Sequence, residues 1–409
     1  MASIENRSYD IVVFGATSFV GQILSAHLRE RHNGTGEISW AIAGRDPHKL
    51  DALSERLDLS VDHIIADAHD IEALATLAES TRVIISTVGP YSLYGSELVE
   101  AAAIAGTDYC DLTGEPQWMQ QMIDAHEKTA ISTGARIMHA CGFDSIPSDL
   151  GVLYTQNKTQ EIFGEHCTQI SMRVKALKGG ASGGTIASML ATVEQAKEDP
   201  ETRRVLTNPY ALAPEGMRSG VRQNNVSTPM RDEASKRWIA PFIMASVNTR
   251  VVHRSHALMG RPWGEDFLYD EAMLTGHGAQ GALKAGATSL GLGGAMAAMS
   301  VDPVRDLLAA KVLPKPGEGP TPEQQRNGFY DLRFYGSTDS GNEIVTKVSG
   351  DRDPGYGSTA KMLGETAYCL LRRDPADTPG GFWTPATGLG TCLIDQLRAF
   401  AGLTFSVVS

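Results

Sequence analysis

The chain has 409 residues, 42% hydrophobic and 21% charged, which suffices for about two or three globular cores without disulfide staples. A formal net charge of −12 excludes a general binder of nucleic-acid backbones, while leaving room for a local basic pocket around one phosphate. Five scattered cysteines (Cys110, Cys141, Cys167, Cys369, Cys392), none in a C-x-x-C pair, exclude a disulfide framework and a zinc site and suit a reducing compartment.

Residues 1–150 alternate apolar, β-branched runs with amphipathic stretches. "YDIVVF" predicts a strand, followed by a helix from about Ser18 to His32. "ISWAIA", "HIIA", "RVIISTV", "YCDL" and "RIMHA" predict further strands. Helices are expected from about Pro47, from Ile71, over "SELVEAAAIAG" and from Pro116. Strand and helix in strict alternation imply an α/β fold, a doubly wound parallel (Rossmann) sheet with right-handed crossovers.

Ligands of such sheets sit beyond the carboxyl ends of the strands, where the first turn here reads "GATSFVG". Gly15 allows the sharp exit from the strand, the small residues Ala16, Thr17 and Ser18 leave space for a pyrophosphate, and Gly21 permits close helix packing. The turn residues Thr17, Ser18, Phe19 and Val20 then present helix N-terminal amides to the phosphates, and Ser18, where a third glycine is common, can also cap the helix. An NAD site usually carries an acid at the end of the second strand; this chain has "AGRDPHKL" there. Arg45 can fork onto a 2'-phosphate with help from His48 or Lys49, which predicts NADP(H); the bland alternative makes Arg45 a solvated loop charge and Asp46 a helix cap. Asp67 follows the third strand on the adenine side. Ser86, Thr87, Val88 and Gly89 end the fourth strand beneath the nicotinamide-side ribose, with Tyr91 and Tyr94 at the mouth.

Beyond Leu150 the pattern changes. "CTQISMRVKALKGG" predicts a longer strand, the "GGTIASMLATVEQAKED" stretch a helix, and "FYDLRFYGST" with "GNEIVTKVSG" a hairpin around "DSG". A polar excursion or lid occupies about 200–237. The uncharged run Ala285–Ser300 is shorter than the roughly 20 apolar residues of a spanning helix. It reads as a packed Gly/Ala helix, or else as a cover over an apolar substrate channel or a membrane-surface contact. "VLPKPGEGPTPEQQ" is a loop, and "DPGYGSTAKMLGETAYCLL" sets Pro354 and Gly355 before a helix. The domain expectation is a Rossmann unit over 1–150, an α/β substrate unit over 151–353, and a C-terminal segment over 354–409 that returns to the first.

In order, "YDIVVFGATSFVG", "TVGPYSLYGSELVEAAAIAGTDYCDLTGE", "HACGFDSIPSDLG", "SGGTIASM", "NTRVVHRSHAL", "DPGYGSTAKMLGETAYCLL" and "GGFWTPATGLG" resemble the trans-acting enoyl reductases among the saccharopine dehydrogenase-like oxidoreductases. The resemblance implies reduction of an activated C=C on a carrier-bound or CoA-linked polyketide or lipid chain, whereas other relatives reduce imines of amino acids. It also implies that Cys141, Gly142, Phe143 and Asp144 line the nicotinamide. Enoyl reduction needs a hydride, a donor for the enolate oxygen and a proton for Cα. Tyr91, Tyr94 and Asp144 are the catalytic candidates, although Asp144 and Ser145 equally suit the start of a helix with Ser145 as cap. Arg250, His253 and Arg254 read either as an anion site for a pantetheine phosphate or carboxylate, or as exposed strand charges. Tyr154 and Lys158 match a Y-x-x-x-K spacing that surface helices meet by chance. A non-catalytic nucleotide-binding scaffold at a lipid surface is the remaining reading. A polar N-terminus predicts a cytoplasmic protein, with peripheral membrane contact and homodimerisation left open and no metal or nucleic acid as partner.

Overall fold

A computed structural model describes residues 7–32, 37–180, 183–299, 301, 303 and 319–409. The expected alternation runs β1 (Tyr9–Phe14), α1 (Phe19–His32), β2 (Trp40–Gly44), α2 (Pro47–Leu57), β3 (Asp62–Ile65), α3 (Ile71–Ser80), β4 (Thr81–Ser86), α4 (Tyr91–Tyr94), α5 (Ser96–Ala105), β5 (Asp108–Asp111), α6 (Pro116–Thr133) and β6 (Arg136–Met138). The chain continues through α7 (Ile146–Phe163), β7 (Gln169–Lys178), α8 (Gly183–Glu198), α9 (Pro200–Thr207), β8 (Met230–Arg231), β9 (Trp238–Pro241), α10 (Ala245–Leu258), β10 (Leu268–Gly276) and α11 (Gly278–Met299). It ends with α12 (Pro322–Arg326), β11 (Phe329–Ser337), β12 (Glu343–Gly350), α13 (Thr359–Arg372), β13 (Gly381–Trp383), α14 (Pro385–Gly388), α15 (Gly390–Phe400) and β14 (Leu403–Val407).

The first sheet has the order β13-β6-β5-β4-β1-β2-β3, and every pairing in it is parallel. Side-chain alternation along its strands explains why helices cover both faces: Ile11 and Val13 pack into one core with Leu24 and Leu28 of α1, while Val12 and Phe14 pack into the other with Leu74 and Leu98. Asp46 and Asp70 cap α2 and α3 by accepting from the amides of Lys49 (3.2 Å) and Ala73 (3.0 Å).

The second sheet, β14-β12-β11-β7-β10-β9-β8, is mixed, with β7 and β10 parallel and the remaining pairs antiparallel. The last segment divides its strands: β13 joins the first sheet beside β6, and β14 joins the second beside β12. The polar excursion is pinned down through Asp232, which accepts from Arg173 Nη2 at 2.8 Å; the same buried guanidinium also pairs with Asp270.

Two expectations change here. "NTRVVHRS" is helical, within α10, which is buried on nearly all sides from Arg250 to Ala257, so tertiary packing overrides the β-branching of Val247, Val251 and Val252. Its arginines are buried rather than exposed, and Arg254 already faces the Glu127 carboxylate at 3.5 Å. Arg250 donates to the carbonyls of Val205 (3.2 Å), Leu206 and Ser246, and Arg254 donates to those of Leu212 (2.6 Å) and Phe382 (2.7 Å). Secondly, α11 packs on β9 and β10 through Gly281 and Ala285 and turns Leu283 and Leu290, 76% and 79% exposed, to solvent. It is an outer helix rather than the wall of an internal channel; residues 300, 302 and 304–318, which include the start of the expected loop, lie outside the described residues. Among the described residues no helix is long and apolar enough to cross a membrane.

Candidate active site

Strand order reverses direction between β1 and β4, which in such sheets makes the crevice at their carboxyl ends, between the turns they feed, the place for a ligand. Gly15 sits there at φ +82°, a conformation that L side chains avoid. A Cβ on Gly15 would lie 2.4 Å from Val88 Cγ2, and one on Gly21 would lie 2.2 Å from the Gly15 carbonyl. The two glycines therefore let α1 and the β4 turn close on each other. Ser18 accepts from the Gly21 amide at 2.9 Å, as a cap, and its hydroxyl lies 2.9 Å from that of Thr87 across the crevice. Thr87 in turn donates to the Gly15 carbonyl at 2.9 Å. Among the described residues no partner takes the amides of Phe19 or Val20 at the opening of α1. Two free amides at a helix N-terminus, above a turn without bulky side chains, fit a pyrophosphate. Gly21→Ala is expected to weaken dinucleotide binding by about 10–100-fold by fluorescence titration, since the added methyl meets backbone and overpacking costs about 1–3 kcal/mol.

Arg45 follows β2 directly and is 79% exposed, its only ionic neighbour being Asp67 at 3.9 Å among the described residues. Asp67 also accepts from the His69 amide at 3.0 Å, which shapes the turn after β3. Between α1 and α2 a cavity of about 280 Å³ is lined by Thr17, Gln22, Lys49, Ala52, Leu53 and Arg56. A second cavity, at the opposite end of the strands, holds none of the expected site residues.

On the far side of the crevice the turns after β4, β5 and β6 converge. Ser86 is buried, Val88 half-buried, and Gly89 exposed ahead of a cis peptide to Pro90. Tyr91 turns inward: it is buried, donates its hydroxyl proton to the Ser86 carbonyl at 2.9 Å, and so has no proton to offer a ligand as it stands. Its role here is to hold the β4 turn. Tyr94 is half-buried, with its ring 5.6 Å from His69 on the α3 side. Cys141 is fully buried and burial pushes its thiol up, so it is no nucleophile. Phe143 packs edge-on against Tyr330 at 4.9 Å, and its amide donates to Thr359 Oγ1 at 2.9 Å. A Cβ on Gly142 would meet Thr359 Cγ2 at 2.8 Å, so only glycine lets α13 approach this turn.

Asp144 is half-buried between two glycines: its carboxylate oxygens lie 3.2 Å and 3.1 Å from where Cβ atoms of Gly114 and Gly142 would stand. Loss of solvation, with a smaller contribution from the Asp111 carboxylate, raises its carboxyl to about 7. Ser145 does not cap α7 with its side chain; its hydroxyl donates to Asn248 Oδ1 at 3.1 Å, which is a correction to the capping alternative. Tyr154 and Lys158 form no catalytic pair: Lys158 is bound to Glu161, and Tyr154 packs at 5.8 Å against Phe405.

Three residues of this site carry no role in the sequence reading. Glu115 is fully buried and accepts from the amides of Tyr91 (2.9 Å) and Ser92 (3.0 Å) and from the Ser188 hydroxyl (2.8 Å). It thereby fixes α4 and ties α8 across the crevice mouth. Asp111 accepts from the amides of Thr113 (3.0 Å) and Ala140 (3.2 Å) and binds His139 Nδ1 at 2.7 Å, bracing the turn that carries Asp144. Thr359 is the third. The "DLTGE" stretch was visible as a motif, but its partners are supplied by distant segments.

No protein-family model matches the chain. A Mycobacterium tuberculosis protein that bears the trans-acting enoyl reductase name provisionally is 39% identical over 409 residues, covering 96% of each chain. The trans-acting enoyl reductase of Mycobacterium ulcerans is 35% identical over 410 residues, covering 97% of each. Among solved structures, apo saccharopine dehydrogenase (L-Glu forming) from Saccharomyces cerevisiae covers 98% of this chain with a TM-score of 0.54 at 13% identity, which shows a shared fold. By full-length similarity, and with a Rossmann sheet of that architecture, the chain belongs to the trans-acting enoyl reductase family and is an oxidoreductase.

Proposed function

We propose that the protein is an NADPH-dependent enoyl reductase that saturates an activated C=C of a thioester-linked polyketide or lipid chain. The observation that carries this reading is Asp144, a half-buried carboxyl raised to about 7 on the turn after β6, where the family resemblance would put the nicotinamide. A bound reduced nicotinamide nucleotide supplies the hydride for Cβ. The amides of Phe19 and Val20 hold its pyrophosphate, Arg45 meets its 2'-phosphate, and Val88 and Gly89 leave room for its inner ribose. Asp144, protonated near neutral pH, delivers the proton to Cα. Tyr91 and Glu115 are positioning residues that fix the β4 and β5 turns around it. Tyr94 stands at the mouth.

The imine-reducing alternative calls for paired arginines that grip substrate carboxylates, and the two arginines of α10 are already taken by backbone carbonyls. This supports the enoyl reading. The test is consumption of NADPH by pure protein with an enoyl-CoA or enoyl-carrier thioester, compared with cyclic imines. Turnover is expected with the thioesters alone. Turnover with imines alone would replace the substrate class, and binding of NADPH without turnover of either would favour a scaffold.

A further inference from the structure

The C-terminal segment holds a pair of thiols that the reductase chemistry does not use. Cys369, on α13, is 2% exposed, and Cys392, the third residue of α15, is exposed. Their sulfurs lie 4.0 Å apart, although the residues are 23 positions apart in sequence. A disulfide needs its sulfurs at about 2.05 Å, so closing the gap takes a movement of roughly 2 Å, within reach of side-chain rotation. We propose that Cys392 is a peroxide-reactive thiol that closes on Cys369 to form an intramolecular disulfide.

Several features of the pair support this. Cys392 lies in the first turn of an eleven-residue helix, where the macrodipole favours a thiolate. The facing charges are Arg373, which favours the thiolate, and Asp395, which opposes it; the contact with Cys369 together with Arg373 brings the Cys392 thiol down to about 6. Cys369 is shifted upward by the same contact and by burial, so it remains the protonated partner. The other three cysteines are buried, which leaves Cys392 as the exposed thiol of the chain. In the first step the Cys392 thiolate attacks the peroxide, cleaving its O–O bond to give a sulfenic acid and one water or hydroxide. The Cys369 sulfur then attacks the sulfenic sulfur, its proton leaving with the displaced hydroxyl as a second water. Two thiols lose two electrons, and the peroxide gains them. The product would tie α13, which lies over the first sheet, to α15, which leads into β14 of the second.

The experiment treats native full-length protein with hydrogen peroxide, then quenches, unfolds, alkylates and maps it by mass spectrometry. A cross-link between the Cys369 and Cys392 peptides, with two hydrogens lost and reversal by a dithiol, is expected, while Cys110, Cys141 and Cys167 alkylate fully. Cys392→Ser, at an exposed position, should abolish the cross-link and leave Cys369 alkylatable after unfolding. Cys369→Ala should leave Cys392 as a sulfenic acid that dimedone traps. Sulfinic acid on wild-type Cys392 without the cross-link, or full alkylation of both cysteines after peroxide, would overturn the proposal; if Cys369→Ala does not fold, the wild-type and Cys392→Ser maps decide it.

Discussion

Asp144→Asn is expected to lower kcat on an enoyl thioester by about 10²–10⁴-fold while leaving the affinity for NADPH nearly unchanged. The amide keeps the shape of the side chain and removes the acidic proton, so a loss confined to kcat marks a role in proton delivery. The pH profile separates this from mere damage. A carboxyl raised to about 7 is protonated below that pH, so the wild-type kcat should fall as pH rises through 7, and the variant should lack this falling limb. Asp149 and Glu271, which burial also raises to about 7, are kept in the variant and serve as internal controls. A limb near 7 that persists in Asp144→Asn would assign it to them and remove Asp144 from the chemistry. Unlike a salt-bridged acid, Asp144 destabilises the folded protein at high pH. A carboxyl raised above its ordinary 3.8 costs nothing at pH below 3.8, and the cost grows as pH rises to about 7 and stays complete above it. The variant is relieved of that cost, so at pH 8 it should melt no lower than wild type in a thermal scan.

The parts of this molecule that the sequence made legible are those fixed by local chemistry. Strand and helix alternate through residue 138 as the apolar periodicity says, because the central strands are buried on both faces and the crossover helices pack an apolar side against them. The fingerprint turn is legible too, since Gly15, Ser18 and Gly21 meet their partners within a few residues or on the adjacent strand. Elsewhere the deciding partner comes from far along the chain. Arg250 and Arg254 look like an anion site until carbonyls some 40 residues away take their donors. Ser145 looks like a cap until Asn248, 103 positions on, takes its hydroxyl. Tyr91 looks like a donor at the mouth, but the Ser86 carbonyl and the buried Glu115 draw it inward. Residue type and spacing announce a polar group; only packing says where its proton goes.

Arg45→Ala should weaken NADPH binding by roughly 10–100-fold and NADH binding by less than about twofold, as expected for loss of a charge-assisted contact made only by the 2'-phosphate. The geometry sets these limits. Arg45 is 79% exposed and its one ionic neighbour among the described residues, Asp67, is 3.9 Å away, so the guanidinium can turn onto a ligand and contributes little to the fold. Melting of the variant should therefore stay within about 0.5 kcal/mol of wild type. Lys49 and Arg56 remain beside Thr17 in the cavity between α1 and α2, and residual attraction from them keeps the loss below that of a fully buried ion pair. Salt gives a second readout from the same site. A contact made in solvent is screened over about 8–10 Å, so NADPH affinity should fall with ionic strength in the wild type and much less in Arg45→Ala, whereas NADH affinity should respond weakly in both. Equal losses for the two coenzymes would mean that Arg45 acts on the shared adenosine or on the turn itself, and the preference for the phosphorylated coenzyme would have to come from Lys49 or be absent.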